Sequence, residues 1–197
     1  MRLRKLRNLL RLPQFDATTY RPRALRKPTR GLEIISAWKG HELIIEDILE
    51  RFQIPRRTFL EFGVEFGFSA VAFSSYFDQV VGVDTFQGDE HTNHRGDHYD
   101  QTRERLAAFP YIKLVRSDYA DFIKQHQDPF DLAHVDIIHT YEDTYACGLW
   151  CAQRCRCTLF HDTESFPEVR RAVRDIAKVT GKRFYNYRPH YGLGIVA

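Results

Sequence analysis

Thr58-Phe-Leu-Glu61-Phe-Gly63-Val-Glu-Phe-Gly67-Phe-Ser-Ala-Val-Ala-Phe73, continued by Gln79-Val-Val-Gly-Val-Asp84-Thr-Phe-Gln-Gly88, decides how this chain folds. A short apolar run, Phe59, Leu60 and Phe62, stops at Gly63. A second glycine follows at Gly67, and helix-forming residues run from Ser69 to Phe77. That is a strand, a tight glycine turn and a helix start. A second apolar run, Val80 to Val83, ends in Asp84, so the unit is β-α-β with a carboxylate at the tip of its second strand. In open α/β sheets a ligand sits outside the carboxyl ends of the strands, near the first turn. Glycines there admit a ligand close to the backbone, and an acidic residue ending strand two accepts ribose hydroxyls. The stretch points to a ligand containing a nucleoside.

The spacing narrows the choice. A dinucleotide site wants G-x-G-x-x-G, where a helix N-terminus meets a pyrophosphate. Here the pattern is Glu61-x-Gly63-x-x-x-Gly67, with a carboxylate inside the turn region. A carboxylate repels a pyrophosphate and suits a cationic ligand. The turn spacing and the absence of a Tyr-x3-Lys pair therefore argue against a nicotinamide-dependent oxidoreductase. Glu61-Phe-Gly63 through Gly67, with Asp84 as the second acidic point, resembles motif I and the following acidic motif of class I S-adenosylmethionine-dependent methyltransferases. The resemblance implies an α/β, Rossmann-like fold: a mainly parallel seven-stranded sheet, helices on both faces and an antiparallel last strand.

The remaining elements fit that frame. Trp38, Leu43, Ile44, Ile45, Ile48, Leu49 and Phe52 recur at helical spacing until Pro55 stops the run. A helix is expected from Tyr99 to Phe109, a strand over Tyr111–Arg116 and a fourth strand ending at Asp136. A helix begins near Tyr141, and a fifth strand starts at Cys157. A helix over Phe166–Val179 and two closing strands, Arg183–Tyr187 and Gly192–Val196, complete the chain. Between Thr85 and Tyr99 the sequence is polar, with His91, His94 and His98 beside Asp89, Glu90 and Asp97. It lacks a compact metal motif of the H-E-x-x-H kind and reads as a loop or lid. Cys147, Cys151 and Cys155 share one helical face and, with Cys157, lack the C-x2-C knuckle of zinc sites. They read as buried small hydrophobes.

Three strings carry a narrower resemblance: Val83-Asp-Thr-Phe-Gln-Gly-Asp89, His134-Val-Asp-Ile-Ile-His-Thr-Tyr-Glu142 and Phe160-His-Asp162. They are similar to a bacterial methyltransferase family with D-T-F-x-G-D, H-I-D-G-x-H-x-Y-E and F-H-D motifs, often linked to glycan and natural-product modification. The resemblance covers roughly residues 58–165. It implies S-adenosyl-L-methionine as cofactor, held by Glu61, Gly63, Gly67, Asp84, Thr85, Ser117, Asp118 and Asp136. It implies a metal, magnesium in some relatives, at Asp136 and Asp162. Ile137 stands where a glycine is usual, and Ile138 stands where those relatives carry their catalytic base. The base must come from elsewhere, and His139, His161 and Asp162 are the candidates at the strand tips. No [N/D]-P-P-[Y/F] motif for a nucleobase amine follows strand four, so the expected reaction is O-methylation of a hydroxyl on a small molecule or glycan.

Charge divides the chain. Residues 1–30 hold 10 of the 29 Lys and Arg with Asp16 as their one acid, a balance of +9, while the rest carries −6. The expected organisation is a basic N-terminal arm and linker over 1–30 and a methyltransferase domain over 31–197. Leu3, Leu6 and Leu10 share a helical face surrounded by Arg2, Arg4, Lys5, Arg7 and Arg11. Such a stretch suits an anionic membrane surface or a partner docking through residues 1–12. A salt-sensitive contact of the same arm with RNA is the alternative, as an RNA methyltransferase or a nucleic-acid-binding protein. A homodimer is a further expected assembly. No apolar run reaches membrane-spanning length and no secretory apolar region is present, so the expected compartment is cytoplasmic.

Overall fold

A computed structural model describes residues 17–88 and 95–197. Eight strands alternate with six helices: β1 Thr18–Thr19, α1 Ile45–Arg51, β2 Thr58–Phe62, α2 Phe68–Ser74, β3 Gln79–Asp84, α3 Tyr99–Leu106, β4 Ile112–Arg116, α4 Tyr119–Gln125, β5 Leu132–Val135, α5 Tyr141–Arg154, β6 Cys157–His161, α6 Pro167–Thr180, β7 Phe184–Tyr187 and β8 Leu193–Val196. A 3-10 turn, His41–Ile44, leads into α1. The strands form one sheet in the order β1-β7-β8-β6-β5-β2-β3-β4, parallel except for β8, which is antiparallel to both β6 and β7. Among the described residues no helix is long and apolar enough to cross a membrane.

Strands buried on both faces read as largely apolar runs, and β2, β5 and β6 do so except at Thr58, Glu61, His134, Thr158 and His161. Odd and even positions sort to opposite faces. Phe59, Leu132 and Leu159 pack with Ile45, Ile48 and Phe73 of the α1–α2 layer. Leu60, Ala133 and Phe160 pack with Cys147, Cys151, Val173 and Ile176 of the α5–α6 layer. The four cysteines are free and buried, as their helical spacing implies.

Strand β2 pairs with β3 on one side and β5 on the other. The chain therefore reverses its direction of travel between β2 and β5, which makes their carboxyl ends the switch point where open α/β sheets hold ligands. Gly63 closes the turn there at φ 85°. A Cβ on Gly63 would lie 1.6 Å from the Asp136 carbonyl oxygen, so only glycine lets the turn press against the end of β5.

Two elements differ from expectation. Among the described residues the sheet has eight strands rather than seven, because Thr18 and Thr19 pair in parallel with Tyr185 and Asn186. Helix α4 was not expected; Asp118 caps it, its Oδ1 accepting from the Ala120 N–H at 2.7 Å. Residues 1–12 of the basic arm, and Asp89, Glu90, His91 and His94, lie outside the described residues. His98 precedes α3 and is buried.

The stretch over 17–30 lies along the body. Tyr20 is buried and its hydroxyl donates to Asp47 of α1. Arg51 pairs with Asp47 at 3.1 Å and lies over the Tyr20 ring, and Arg26 pairs with Glu46 at 3.3 Å. The acidic face of α1 thus receives the basic strap. Replacing a buried aromatic by alanine costs about 3–5 kcal/mol. Tyr20→Ala is expected to lower the unfolding midpoint by roughly 6–20 °C, and deletion through Arg30 by at least as much. A calorimetric scan in which either variant melts with the intact chain would contradict this packing.

Candidate active site

The sheet face toward α1 and α2 becomes polar near the carboxyl ends. Glu61 of β2 lies in register opposite His134 of β5. Both are fully buried, and His134 Nδ1 lies 2.9 Å from Glu61 Oε1. Trp38 donates its indole N–H to His134 Nε2 at 3.0 Å. Burial pushes the Glu61 carboxyl above its ordinary range, and the His134 bond opposes the rise. Its second oxygen, Oε2, has no hydrogen-bond partner.

Asp84, at the tip of β3, clasps the turn. Its Oδ2 accepts from the backbone N–H groups of Val64 at 2.8 Å and Glu65 at 2.9 Å, and its Oδ1 from that of Phe86 at 2.7 Å. A carboxylate offers about four acceptor positions, so room remains for about one more donor rather than for both hydroxyls of a ribose. Ser117 follows β4 and bonds through its N–H to the Asp84 carbonyl at 3.0 Å. Thr85 and Asp118 are exposed beside it.

Beyond β5 and β6 lies a cluster of four ionisable side chains. His139 Nε2 is 3.0 Å from Asp162 Oδ2 and 3.7 Å from Asp136 Oδ1. His161 Nδ1 is 2.9 Å from Asp162 Oδ2 and 3.3 Å from Asp136 Oδ2. Local structure fixes each member. Thr140 caps α5 directly after His139, its Oγ1 accepting from the Asp143 N–H at 3.1 Å. Asp162 sits at φ 62°, and its carbonyl accepts from the Ser165 and Phe166 N–H groups. That turn lays the Phe166 ring flat on His139, with centroids 4.1 Å apart.

The charges support one another. Burial disfavours each charged form, and the opposite charges override it. Asp136 and Asp162 hold His139 up at about 9 and His161 up at about 10. The two histidines hold Asp162 down at about 2 and Asp136 well below the carboxylate range. Two carboxylates and two imidazoliums make the group neutral overall. His161 is 1% exposed at its side chain, whereas Asp136 is 26% exposed, so Asp136 and its neighbours His139 and Asp162 form the accessible rim.

Asp136, His161 and Asp162 each present a ligand atom, all within 4.8 Å of one another. The donor set does not fit magnesium. Mg²⁺ favours six oxygens in an octahedron, and here one donor is an imidazole nitrogen whose proton lies between the two carboxylates. That proton would have to leave before a metal bound.

Several residues of the site carried no signal that a linear reading used. His41 is fully buried against His161, ring centroids 5.2 Å apart, and its Nε2 donates to the Pro189 carbonyl at 3.2 Å. Burial, followed by the nearby His161 and His190, drives its pKa down to about 3. In the sequence Trp38 falls in an apolar run of helical spacing and His134 in the string ending strand four. The usable signal was the alternation Phe59/Glu61, Leu132/His134 and Leu159/His161, which puts three polar residues on one face of a buried sheet.

Comparison with known proteins places this chain in a family. The family model described as a methyltransferase domain matches residues 60–163. The uncharacterized protein y4gI of Sinorhizobium fredii is 33% identical over a 122-residue alignment that covers 56% of this chain and 13% of that protein. The chain thus spans about an eighth of the length of that relative. Among solved structures, CalS10, an amino pentose methyltransferase of Micromonospora echinaspora with S-adenosylmethionine bound, aligns with TM-score 0.61 and 11% identity over 82% of this chain and 91% of its own. The O-methyltransferase of Bacillus cereus in complex with S-adenosylhomocysteine aligns with TM-score 0.57 and 13% identity over 83% and 82%. At such identities the likeness shows a shared fold. With the matched segment running from β2 to the residue after Asp162 and so taking in both the glycine turn and the charged cluster, this chain belongs to the methyltransferase-domain family.

Proposed function

We propose that the chain is an S-adenosylmethionine-dependent methyltransferase that methylates a hydroxyl group of a small molecule or glycan. The observation that carries the reading is the His139–Asp162 pair, 3.0 Å apart, at the carboxyl ends of β5 and β6 beside the switch point of the sheet. A hydroxyl acceptor must lose a proton as it attacks, and an imidazole held in place by a carboxylate is suited to take it.

The cofactor side agrees in chemistry. S-adenosylmethionine, when bound, supplies an activated methyl group on a sulfonium, together with an ammonium and a ribose. The orphaned and buried Oε2 of Glu61 suits a cation. Asp84 retains an acceptor position for one ribose hydroxyl, and Thr85, Ser117 and Asp118 line the adjoining strand tips. Solved neighbours that carry S-adenosylmethionine or its demethylated product support the same ligand. A cytoplasmic setting accords with four free cysteines.

His139 Nε2 lies 3.0 Å from Asp162 Oδ2, and the imidazole held there is the group that exchanges a proton with the acceptor. Phe166, stacked on the ring, fixes the plane in which that exchange occurs. His161, buried behind the pair, positions both carboxylates rather than meeting substrate.

Two outcomes are expected. His139→Ala lowers the rate of methyl transfer by about 10²–10⁴ and leaves S-adenosylmethionine affinity unchanged by calorimetry. Because Asp136 and Asp162 hold His139 up at about 9 and a base acts when deprotonated, kcat/KM rises with pH and levels off above about 9. Asp162→Asn removes a charge that favours the imidazolium, so the inflection moves down toward 6.5. A flat profile in both proteins, or full activity of His139→Ala, would remove His139 from the reaction. Activity that survives EDTA is expected from the donor set.

Asp84→Ala gives up three charge-assisted bonds to the turn, each contributing about 1.5–3 kcal/mol at most. It is expected to weaken S-adenosylmethionine binding at least tenfold and to lower the melting temperature as well. Unchanged calorimetric affinity in this variant would remove Asp84 from the cofactor site.

A further inference from the structure

The buried chain Trp38–His134–Glu61 has a fixed direction. An indole nitrogen donates and never accepts. Trp38 Nε1–H points at His134 Nε2 at 3.0 Å, so Nε2 is the bare nitrogen of that ring. The ring proton is then on Nδ1, which faces Glu61 Oε1 at 2.9 Å and donates to it. One end of the chain thereby sets the state of the other: Oε1 is always an acceptor with its donor supplied. Oε2 has no partner although the whole side chain is excluded from solvent.

Packing makes the arrangement rigid. The Trp38 ring contacts Phe73 and His134 with centroids 5.3 and 5.2 Å apart, and Phe73 in turn stacks on Phe59 at 3.9 Å. The groups facing the Glu61 carboxylate are His134 from β5, Ser69 from the first turn of α2, and Asp136 beyond the end of β5. None of them is a cation. Apart from the Ser69 hydroxyl, a neutral donor, nothing beside the carboxylate supplies Oε2, and it has no partner in hydrogen-bond geometry, so a cationic donor of a ligand is accepted there with gain.

We propose that Trp38 and His134 are positioning residues for the methyl donor: they hold Glu61 oriented to meet the ammonium group of the donor's amino-acid part. The inference rests on the reading of the chain as an S-adenosylmethionine-dependent methyltransferase and extends it to two side chains that do not themselves meet the ligand. Trp38 lies outside the matched family segment, in the stretch preceding the 3-10 turn. The N-terminal part of the body is thereby tied to cofactor recognition rather than to packing alone.

The test compares two ligands that differ in the group concerned. S-adenosylhomocysteine carries the ammonium; 5′-methylthioadenosine has the same nucleoside and thioether without it. Calorimetric titration of the full chain is expected to show His134→Leu weakening S-adenosylhomocysteine about 10- to 100-fold while leaving methylthioadenosine within about twofold. His134→Asn keeps a donor near the Nδ1 position and is expected to recover most of that loss. Trp38→Phe retains the ring packing but releases the tautomer, and is expected to give an intermediate, equally ligand-selective loss. KM for the donor should rise in these variants with kcat little changed. Equal weakening of both ligands, or none, would overturn the positioning role. If His134→Leu does not fold, His134→Asn and Trp38→Phe decide the matter by the same ratio. Failure of the unaltered protein to bind S-adenosylhomocysteine would instead overturn the underlying methyltransferase reading.

Discussion

A carboxylate in the interior of a doubly covered sheet is the constraint around which this molecule is arranged. Glu61 sits between Leu60 and Phe62 in a buried strand, and desolvation there opposes its charge. It is tolerated because β5 places His134 directly across from it in register and because Trp38 reaches in from the preceding segment to complete the bond chain. The same requirement explains why α1, the 3-10 turn and the stretch before them pack tightly over this part of the sheet. Removing solvent from Glu61 makes its remaining interaction strong, and leaving one oxygen without a partner makes that interaction specific.

The second polar group, Asp136, His139, His161 and Asp162, solves the same problem differently. Instead of a directed chain of neutral donors it uses opposite charges in equal number, each holding its neighbours in the ionised form. The two arrangements meet at the carboxyl ends of β2, β5 and β6. One suits recognition of a fixed cation. The other suits exchange of a proton, since a cluster that is neutral as a whole can redistribute its hydrogens at low electrostatic cost.

Much of this was legible from the sequence because it depends on local order. The glycine spacing, the apolar runs and the acidic strand tips gave the strand-turn-helix unit, the parallel sheet and the antiparallel close. His139, His161, Asp136 and Asp162 could be named because each follows an apolar run at a strand tip. What stayed hidden depends on register and on distant segments. Glu61 and His134 are 73 positions apart and Trp38 and His134 are 96 apart, so no window contains either pair. The strap over 17–30 was misleading for the opposite reason. Its arginines and prolines resemble a solvated linker, yet Asp47, Glu46 and Glu50 of α1 supply the partners that bring it down onto the body. The polar composition around Asp89 to His94 suggested a lid, and those residues lie outside the described structure.

The two residues of β1 have a consequence for how molecules of this protein behave toward one another. An open strand edge is a template for pairing with a second chain. At one margin of the sheet, Thr18 and Thr19 occupy the hydrogen-bonding groups of β7 that would otherwise face outward. At the other margin β4 carries Lys113 and Arg116, charges that discourage an incoming strand. The short N-terminal strand therefore covers that stretch of the β7 edge against pairing with a second chain. A fragment trimmed to begin after it would expose Phe184-Tyr-Asn-Tyr187, three aromatic residues in four, as a bare edge.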